Sequence, residues 1–301
     1  MKFKRIIACV LKPRMGLERA IRRGFFNSLP DSLYLKMVFP LRVGYCLNLT
    51  HPQTFNEKIQ WLKLYDRRDE YHTYVDKYAV REYVKKTIGE QYLIPLLGVW
   101  DSVEEINFDE LPDQFVLKTT HDSGGVIVCQ NKREFDVDAA KKKLIQHLEI
   151  DFYFPGREWA YKGLERKIIA EQYMVDESQQ ELKDYKIFCF NGEPKFIQVD
   201  YGRFKNHKRN MYSIDWKYLD FTTEYPTDSE VNISPPANLQ EMLRVARKLS
   251  VGLVHSRIDL YSAFGKTYFG EITLYHGCGF EHFYPKSYDR IIGDLLQLPG
   301  V

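Results

Sequence analysis

Residues 257–273 read Arg257-Ile-Asp-Leu-Tyr-Ser-Ala-Phe-Gly-Lys-Thr-Tyr-Phe-Gly-Glu-Ile-Thr273. This stretch predicts two β-strands joined by a Phe-Gly-Lys turn. Because side chains alternate along a strand, Asp259 and Glu271 each point away from the isoleucine beside them. Their spacing of 12 residues lets a hairpin bring both carboxylates to one place. Arg257 lies two residues before Asp259 and therefore shares its face.

Two carboxylates and the hydroxyl of Thr273 form a set of hard oxygen ligands. Mg²⁺ prefers such ligands where it also holds phosphates. Arg257 beside this set indicates an anionic substrate. The alternative is a surface hairpin with cross-strand charge pairs, and residues 257–273 alone do not decide between the two.

The composition is that of a globular protein with a large core. The chain has 301 residues, of which 44% are hydrophobic, and this length predicts one to three domains. Its five cysteines are dispersed without a C-x-x-C pair, which argues against a disulfide framework and for a reducing, cytoplasmic compartment. The histidines form no zinc-binding pattern. The basic residues cluster at the start of the chain, and the sequence contains no motif of a known nucleic-acid-binding fold. Nucleic-acid binding is therefore not expected.

Residues 1–26 form a basic head, with eight lysines and arginines against a single acid, Glu18. Apolar side chains recur there at helical spacing, at Phe3, Ile6, Ile7, Val10 and Leu11. This pattern predicts an interfacial helix on the inner face of an anionic membrane. The alternatives are a helix packed on its own domain and a frayed terminus. No stretch approaches the roughly 20 apolar residues of a membrane span.

The remaining chain predicts an α+β fold with antiparallel sheets. Residues 27–95 are mostly helical, with a capping box at Thr54–Glu57 and a second helix from about Asp76 to Lys86. Strand patterns begin after Pro95, and residues 203–235 read as loop with short strands. We divide the chain into a head (1–26), a helical region (27–95), a first α+β subdomain (96–170) and a second (171–301).

A glycine-rich loop lies between two predicted strands at Thr119–Gly125. Gly124 and Gly125 allow backbone amides to approach a ligand closely, and Ser123 adds a hydroxyl donor. With Lys118 at its mouth, the loop predicts a phosphate cradle. It is not a Walker A loop, and its alternative is an ordinary hairpin turn.

Three further segments are weak signals individually. Lys77 follows Asp76 at a helix start, and Lys186 lies at a strand start. Residues 171–174 end an apolar strand, as in adenine pockets where backbone groups contact the base and apolar side chains enclose it. Each of these three segments could equally be an ordinary surface segment whose side chains contact only solvent.

The order of these features resembles the ATP-grasp superfamily, and its D-alanine–D-alanine ligase branch in particular. By this resemblance Lys77 and Lys118 are phosphate lysines, and Ser123, Gly124 and Gly125 form the flexible flap. The adenine hinge is then Glu171, Gln172, Tyr173 and Met174, and the metal ligands are Asp259, Glu271 and Thr273. The usual asparagine is replaced by Thr273, whose hydroxyl is a weaker ligand. The resemblance therefore does not decide whether one or two Mg²⁺ ions bind.

A closer similarity, over roughly residues 35–297, is to the TupA-like family of teichuronopeptide synthesis. It rests on matches at 54–58, 76–81, 115–121, 184–192 and 269–273. Members of that family serve capsule, O-antigen and other surface polysaccharides, and they are often labelled glycosyltransferases.

The resemblance implies an ADP-forming ligase that uses ATP and Mg²⁺. A carboxylate becomes an acyl phosphate, an amine attacks it, and Arg257 and Lys186 act in catalysis. The glycan context implies a uronic acid on a polysaccharide or lipid-linked sugar as acceptor, and an amino acid or amine as co-substrate. Arg203, Lys205 and His207 are candidates for binding the anionic sugar. The alternative is that these basic residues form an ordinary charged surface segment in contact with solvent.

The main alternative is a nucleotide-sugar glycosyltransferase, which commonly requires a D-x-D motif. Asp136-Val-Asp138 has this form, but it runs directly into a good helix sequence and so favours a helix N-terminus. A kinase that stops at phosphorylation and a non-catalytic subunit are further alternatives.

Overall fold

The computed structural model describes residues 13–177, 182–202, 207–231 and 233–300. The apolar positions Phe3 to Leu11, on which the interfacial helix depends, lie outside these ranges. In the described part no helix is both long and apolar enough to span a membrane. Within the same residues Cys46, Cys129, Cys189 and Cys278 are free thiols.

The N-terminal region is helical, as predicted. Its helices are α1 (Pro13–Arg22), α2 (Asp31–Val43), α3 (Phe55–Tyr65), α4 (Glu70–Val75) and α5 (Val80–Thr87). The capping box of α3 is confirmed, because Glu57 N–H donates to Thr54 Oγ1 (3.2 Å) and Thr54 N–H donates to Glu57 Oε2 (3.1 Å).

The helix predicted from about Asp76 to Lys86 is present as α5, whose regular part begins at Val80. The Asp76 carboxylate accepts the N–H groups of Tyr78 and Ala79 at 2.8 and 2.7 Å. The Asp76 carbonyl also accepts the Val80 N–H at 3.0 Å, so Asp76 caps the turn that leads directly into α5.

The first sheet has four antiparallel strands in the order β1-β4-β2-β3. These are β1 (Leu96–Trp100), β2 (Phe115–Thr119), β3 (Val126–Cys129) and β4 (Ile168–Gln172). Two helices, α6 (Val137–Leu148) and α7 (Tyr153–Gly156), lie between β3 and β4 in sequence. The core of this sheet includes the fully buried Phe115, Leu117, Leu144 and Ile168.

The second sheet has six antiparallel strands in the order β11-β10-β5-β6-β7-β8. These are β5 (Asp184–Phe190), β6 (Glu193–Tyr201), β7 (Lys208–Ser213), β8 (Tyr218–Leu219), β10 (His255–Ala263) and β11 (Lys266–Thr273). A two-stranded sheet joins β9 (Thr222–Thr223) to β12 (Phe283–Tyr284). The remaining helices are α8 (Leu239–Leu249) and α9 (Ser287–Leu295).

The expectation of loop with short strands over residues 203–235 is confirmed for the described residues, which hold β7, β8 and β9. On β7, Arg209 forms an ion pair with its cross-strand partner Asp200 on β6 at 2.7 Å. The antiparallel α+β architecture itself is confirmed. The four-part division of the chain stays a prediction.

Candidate functional site

The predicted hairpin forms, and its register places the two acids side by side. Asp259 on β10 is the cross-strand partner of Glu271 on β11, and Arg257 is the partner of Thr273. On the other side of β10, Asp259 is the partner of Lys186 on β5. Directly paired residues share a face of the sheet, so these five predicted residues lie together.

Arg257 lies at the centre of this group. Its guanidinium donates to Asp259 Oδ1 and Oδ2, both at 2.7 Å, and to Glu271 Oε1 at 2.9 Å. Lys186 Nζ donates to Asp259 Oδ2 at 2.5 Å and also to Asp184. The two cations therefore neutralise the paired carboxylates.

The two acids differ in their environment. Burial raises the pKa of Asp259 to about 6, although Arg257 and Lys186 oppose this effect. The side chain of Glu271 is 42% exposed. Burial also raises the pKa of Glu271, but Arg257 and Lys186 outweigh it and the net pKa is lowered. Glu271 is thus the readily ionised and more accessible carboxylate.

The donor set fits Mg²⁺ in its chemistry. Thr273 Oγ1 lies 3.4 Å from Glu271 Oε1, so hydroxyl and carboxylate oxygens adjoin. Among the described residues no group of three His, Cys, Asp or Glu side chains is placed to hold a metal ion. A metal at Asp259 and Glu271 would take its other oxygens from Thr273, water and phosphate, which is how Mg²⁺ is usually bound.

The glycine-rich loop is anchored to Lys77. Lys77 Nζ donates to the carbonyls of Thr119 (3.2 Å) and Asp122, and the Lys77 N–H donates to the Thr120 carbonyl (3.0 Å). Burial lowers the pKa of Lys77, while the charges of Glu271 and Asp122 oppose this. That influence of Glu271 places the loop and the hairpin acids in one electrostatic environment.

The buried Asp122 side chain connects the loop to helix α6. Its carboxylate accepts from Thr119 Oγ1 and contacts His147 Nδ1 on α6. Gly125 passes so close that a Cβ there would overlap Thr119 Oγ1. Ser123 and Gly124 are exposed at the tip, where their backbone groups are open to a ligand.

Lys118 and Glu171 form an ion pair on the first sheet. Lys118 Nζ donates to Glu171 Oε2 at 2.6 Å, and Arg81 donates to Glu171 Oε1 at 2.9 Å. The Glu171 side chain thus fixes two cations. Strand β4 ends at Gln172.

The rest of the predicted hinge lies beyond that point. Gln172 is exposed, and Tyr173 and Met174 are half-buried. Gln172 and Tyr173 also line a surface cavity of about 720 Å³. The adenine role of residues 171–174 stays a prediction.

The predicted sugar-binding residues Arg203 and Lys205 lie outside the described residues. His207 is half-buried, with its ring 3.7 Å from the ring of Tyr225 and its Nε2 3.5 Å from Asp200 Oδ1. Its role in substrate binding also stays a prediction.

The D-x-D sequence is a helix N-terminus. The Asp136 side chain accepts the Ala139 N–H at 2.9 Å and caps α6, and Asp138 lies in the first turn. Both positions suit the positive end of the helix dipole.

Sequence reasoning missed three residues that complete the site. Asp184 contacts Lys186, and Arg81 contacts Glu171. His276 Nδ1 accepts from Arg257 Nη1 at 2.9 Å. Asp184 and Arg81 lie inside motifs already noted, at 184–192 and 76–81, whereas His276 lies in an irregular turn with no spacing signal.

A sequence model described as TupA-like ATP-grasp matches residues 57–297. The chain belongs to the TupA-like ATP-grasp family. This match confirms the predicted family and, with the antiparallel architecture, the ATP-grasp fold. No protein with a curated description matches the chain.

Solved structures similar to the chain share low identity with it. A D-alanine–D-alanine ligase from Bacillus anthracis is 21% identical, with a TM-score of 0.40 over 74% of this chain and 66% of that one. An N5-carboxyaminoimidazole ribonucleotide synthetase, solved as its ADP complex, is 14% identical, with a TM-score of 0.44 over 73% and 50%. The chain thus spans half to about two thirds of these structures.

Proposed function

We propose that this ATP-grasp protein is an ATP-dependent, ADP-forming carboxylate–amine ligase. The observation that carries the proposal is the pairing of Asp259 with Glu271 across the hairpin, beside Arg257 and Lys186, in a chain of this family. Such an oxygen-rich, cation-flanked patch suits a metal–triphosphate complex.

Each part of the site has its own role in the proposed reaction. Lys77, Lys118 and the amides of 123–125 neutralise phosphate charge, and residues 171–174 receive the adenine. Asp259, Glu271 and Thr273 would hold Mg²⁺, which when bound neutralises the phosphate oxygens. Arg257 and Lys186 stabilise negative charge that develops as the acyl phosphate forms and the amine attacks it.

The substrate class follows from the family resemblance. We propose a uronic-acid carboxyl of a cell-surface polysaccharide or its lipid-linked precursor as acceptor, with an amino acid or another amine as co-substrate. Arg203, Lys205 and His207 would bind the anionic sugar. The reaction would occur in the cytoplasm, with the basic head (1–26) resting on the inner membrane face.

Mass spectrometry of the surface glycan from a deletion strain tests this proposal. The expected result is loss of an amide-linked substituent, with the sugar backbone intact. Loss of a complete sugar residue would instead support the glycosyltransferase alternative, for which Asp136 gives no support because it caps α6.

A further inference from the structure

Helix α3 carries three polar side chains that are completely buried, Asn56, Gln60 and Lys63. Buried lysine in particular is rare unless its charge has partners. All three bind the backbone of residues 276–281. The contacts join Asn56 Nδ2 to the Glu281 carbonyl (2.9 Å), Gln60 Nε2 to the Gly279 carbonyl (2.6 Å) and Lys63 Nζ to the Cys278 carbonyl (2.5 Å).

The segment that α3 holds is an unusual turn. Gly277, Cys278 and Gly279 all adopt left-handed backbone conformations, with φ of 57°, 54° and 61°. Such a conformation is costly for a residue with a side chain such as cysteine, and costly backbone clusters at functional sites. The turn returns the chain so that His276 and Glu281 meet.

His276 connects this turn to Arg257. A guanidinium can only donate, so His276 Nδ1 accepts from Arg257 Nη1 and the proton of the neutral ring lies on Nε2. Burial keeps the pKa of His276 well below its ordinary value, so the ring is neutral. Its Nε2 lies 3.5 Å from Glu281 Oε1.

Among the described residues no lysine or arginine forms an ion pair with the buried Glu281 carboxyl, and its neighbour His276 is neutral. Its side chain is 7% exposed, and in the described part of the chain Oε2 has no hydrogen-bond partner of suitable geometry. The neighbouring cation Arg209 is engaged with Asp200 at 2.7 Å. Arg257 is likewise engaged with the hairpin acids. The carboxyl is therefore complementary to a further hydrogen-bond donor that carries positive charge.

The backbone of Gly277 packs directly against this carboxyl. Gly277 is exposed, and a Cβ at that position would overlap the Glu281 carboxyl group. Any other residue at 277 would thus occupy the space immediately over the carboxyl. The same glycine also provides the positive φ that the turn requires.

We propose that Glu281, held by α3 beneath the exposed Gly277, is the binding site for the primary ammonium group of the co-substrate and accepts a proton from it. This inference rests on the proposed ligase function. The ammonium gives one proton to the Glu281 carboxylate, and the free amine then attacks the acyl carbon. The C–N bond forms, the C–O bond to phosphate breaks, and phosphate leaves with the electron pair and takes up the second amine proton.

The electrostatics of the carboxyl agree with this role. Burial is the main cause that raises the pKa of Glu281 to about 7, and the nearby Glu224 adds to it, while Arg209, a hydrogen bond with the Thr223 side chain and Arg257 oppose the rise. A proton acceptor works best when its pKa lies near the working pH.

Saturation-transfer NMR with two probes, L-alanine and D-glucosamine, tests the subsite in the full chain. We expect saturation transfer to at least one probe with the wild-type protein, and its loss in Glu281→Gln, which removes the charge but keeps the shape. The probe that binds tells whether the amine comes from an amino acid or an amino sugar. Glu158→Gln is the matched control, because Glu158 is also buried and contacts Cys278 of the same turn.

Unchanged saturation transfer to the probe in Glu281→Gln, or no saturation transfer to either probe with the wild-type protein, would refute Glu281 as the ammonium-binding site. A thermal shift with ATP and Mg²⁺, measured on the same samples, reports on the nucleotide site separately. A wild-type protein that binds a probe but not ATP would therefore contradict the proposed function and leave the amine site standing.

Discussion

Asp259 and Glu271 are direct cross-strand partners, and one guanidinium, that of Arg257, binds both of them. Two carboxylates this close repel each other unless cations lie between them. Arg257 and Lys186 supply that charge here. The same arrangement leaves Glu271 accessible, whereas both oxygens of the buried Asp259 are held by Arg257 and Lys186 and must be released before they can ligate a metal.

Thr273→Asn should strengthen metal binding. An amide carbonyl is a better Mg²⁺ ligand than a hydroxyl, and position 273 adjoins Glu271 on the same strand face. We expect a lower Mg²⁺ concentration at half of the ATP-dependent thermal shift. Thr273→Val, which keeps the shape and lacks the oxygen, should raise that concentration. Equal Mg²⁺ dependence in all three proteins would mean that residue 273 is not a ligand.

Gly125→Ala should disrupt the glycine-rich loop. The added methyl group overlaps Thr119 Oγ1, and the hydroxyl cannot move without releasing Asp122. Overpacking of this kind costs about 1–3 kcal/mol. Chemical denaturation should show that loss, and calorimetry should show weaker ATP binding. Ser123→Ala, at the exposed tip of the same loop, should leave the stability unchanged; equal losses in both variants would refute this explanation.

The pH dependence of stability should identify Glu281. Because its folded pKa of about 7 lies above the ordinary value of 4.5, the folded state binds more protons between those values. Its contribution to stability is therefore fully present below about pH 4.5 and is lost as the pH rises through 7. The gap corresponds to at most about 3 kcal/mol.

Urea denaturation of wild type and Glu281→Gln at pH 5 and pH 7.5 measures this contribution. We expect the wild-type protein to lose more unfolding free energy between the two pH values than the variant does. Parallel pH profiles would show that Glu281 has an ordinary pKa.

Much of this site could be predicted from the sequence because its residues lie on regular elements. The hairpin itself follows from the strand patterns of residues 257–273, but its turn register alone would pair Asp259 with Gly270. A β-bulge next to Asp259 shifts the register and brings Glu271 opposite it, and the sequence does not reveal that bulge. The capping box at Thr54 follows from local chemistry alone. Period-2 alternation and capping act over a few residues, so a single sequence reveals them.

The contacts that sequence reasoning missed are long-range or irregular. Asn56 and Glu281 are 225 residues apart, and nothing in either segment indicates the other. Residues 276–281 follow no helical or strand period, because Gly277, Cys278 and Gly279 have left-handed backbones. The helix start near Asp76, by contrast, could be predicted because capping is local: the aspartate accepts the N–H groups of Tyr78 and Ala79.

The central claim is that Asp259 and Glu271 hold the metal of an ATP complex. The most direct test is the melting temperature of wild type and Glu271→Ala with and without ATP and Mg²⁺. Glu193→Ala serves as the control, because Glu193 is an exposed strand glutamate with a simple ion pair to Arg247. At ATP concentrations about 100 times Kd, we expect wild type and control to gain on the order of 5 °C and Glu271→Ala to gain nothing. A Glu271→Ala protein stabilised as much as wild type would contradict the account.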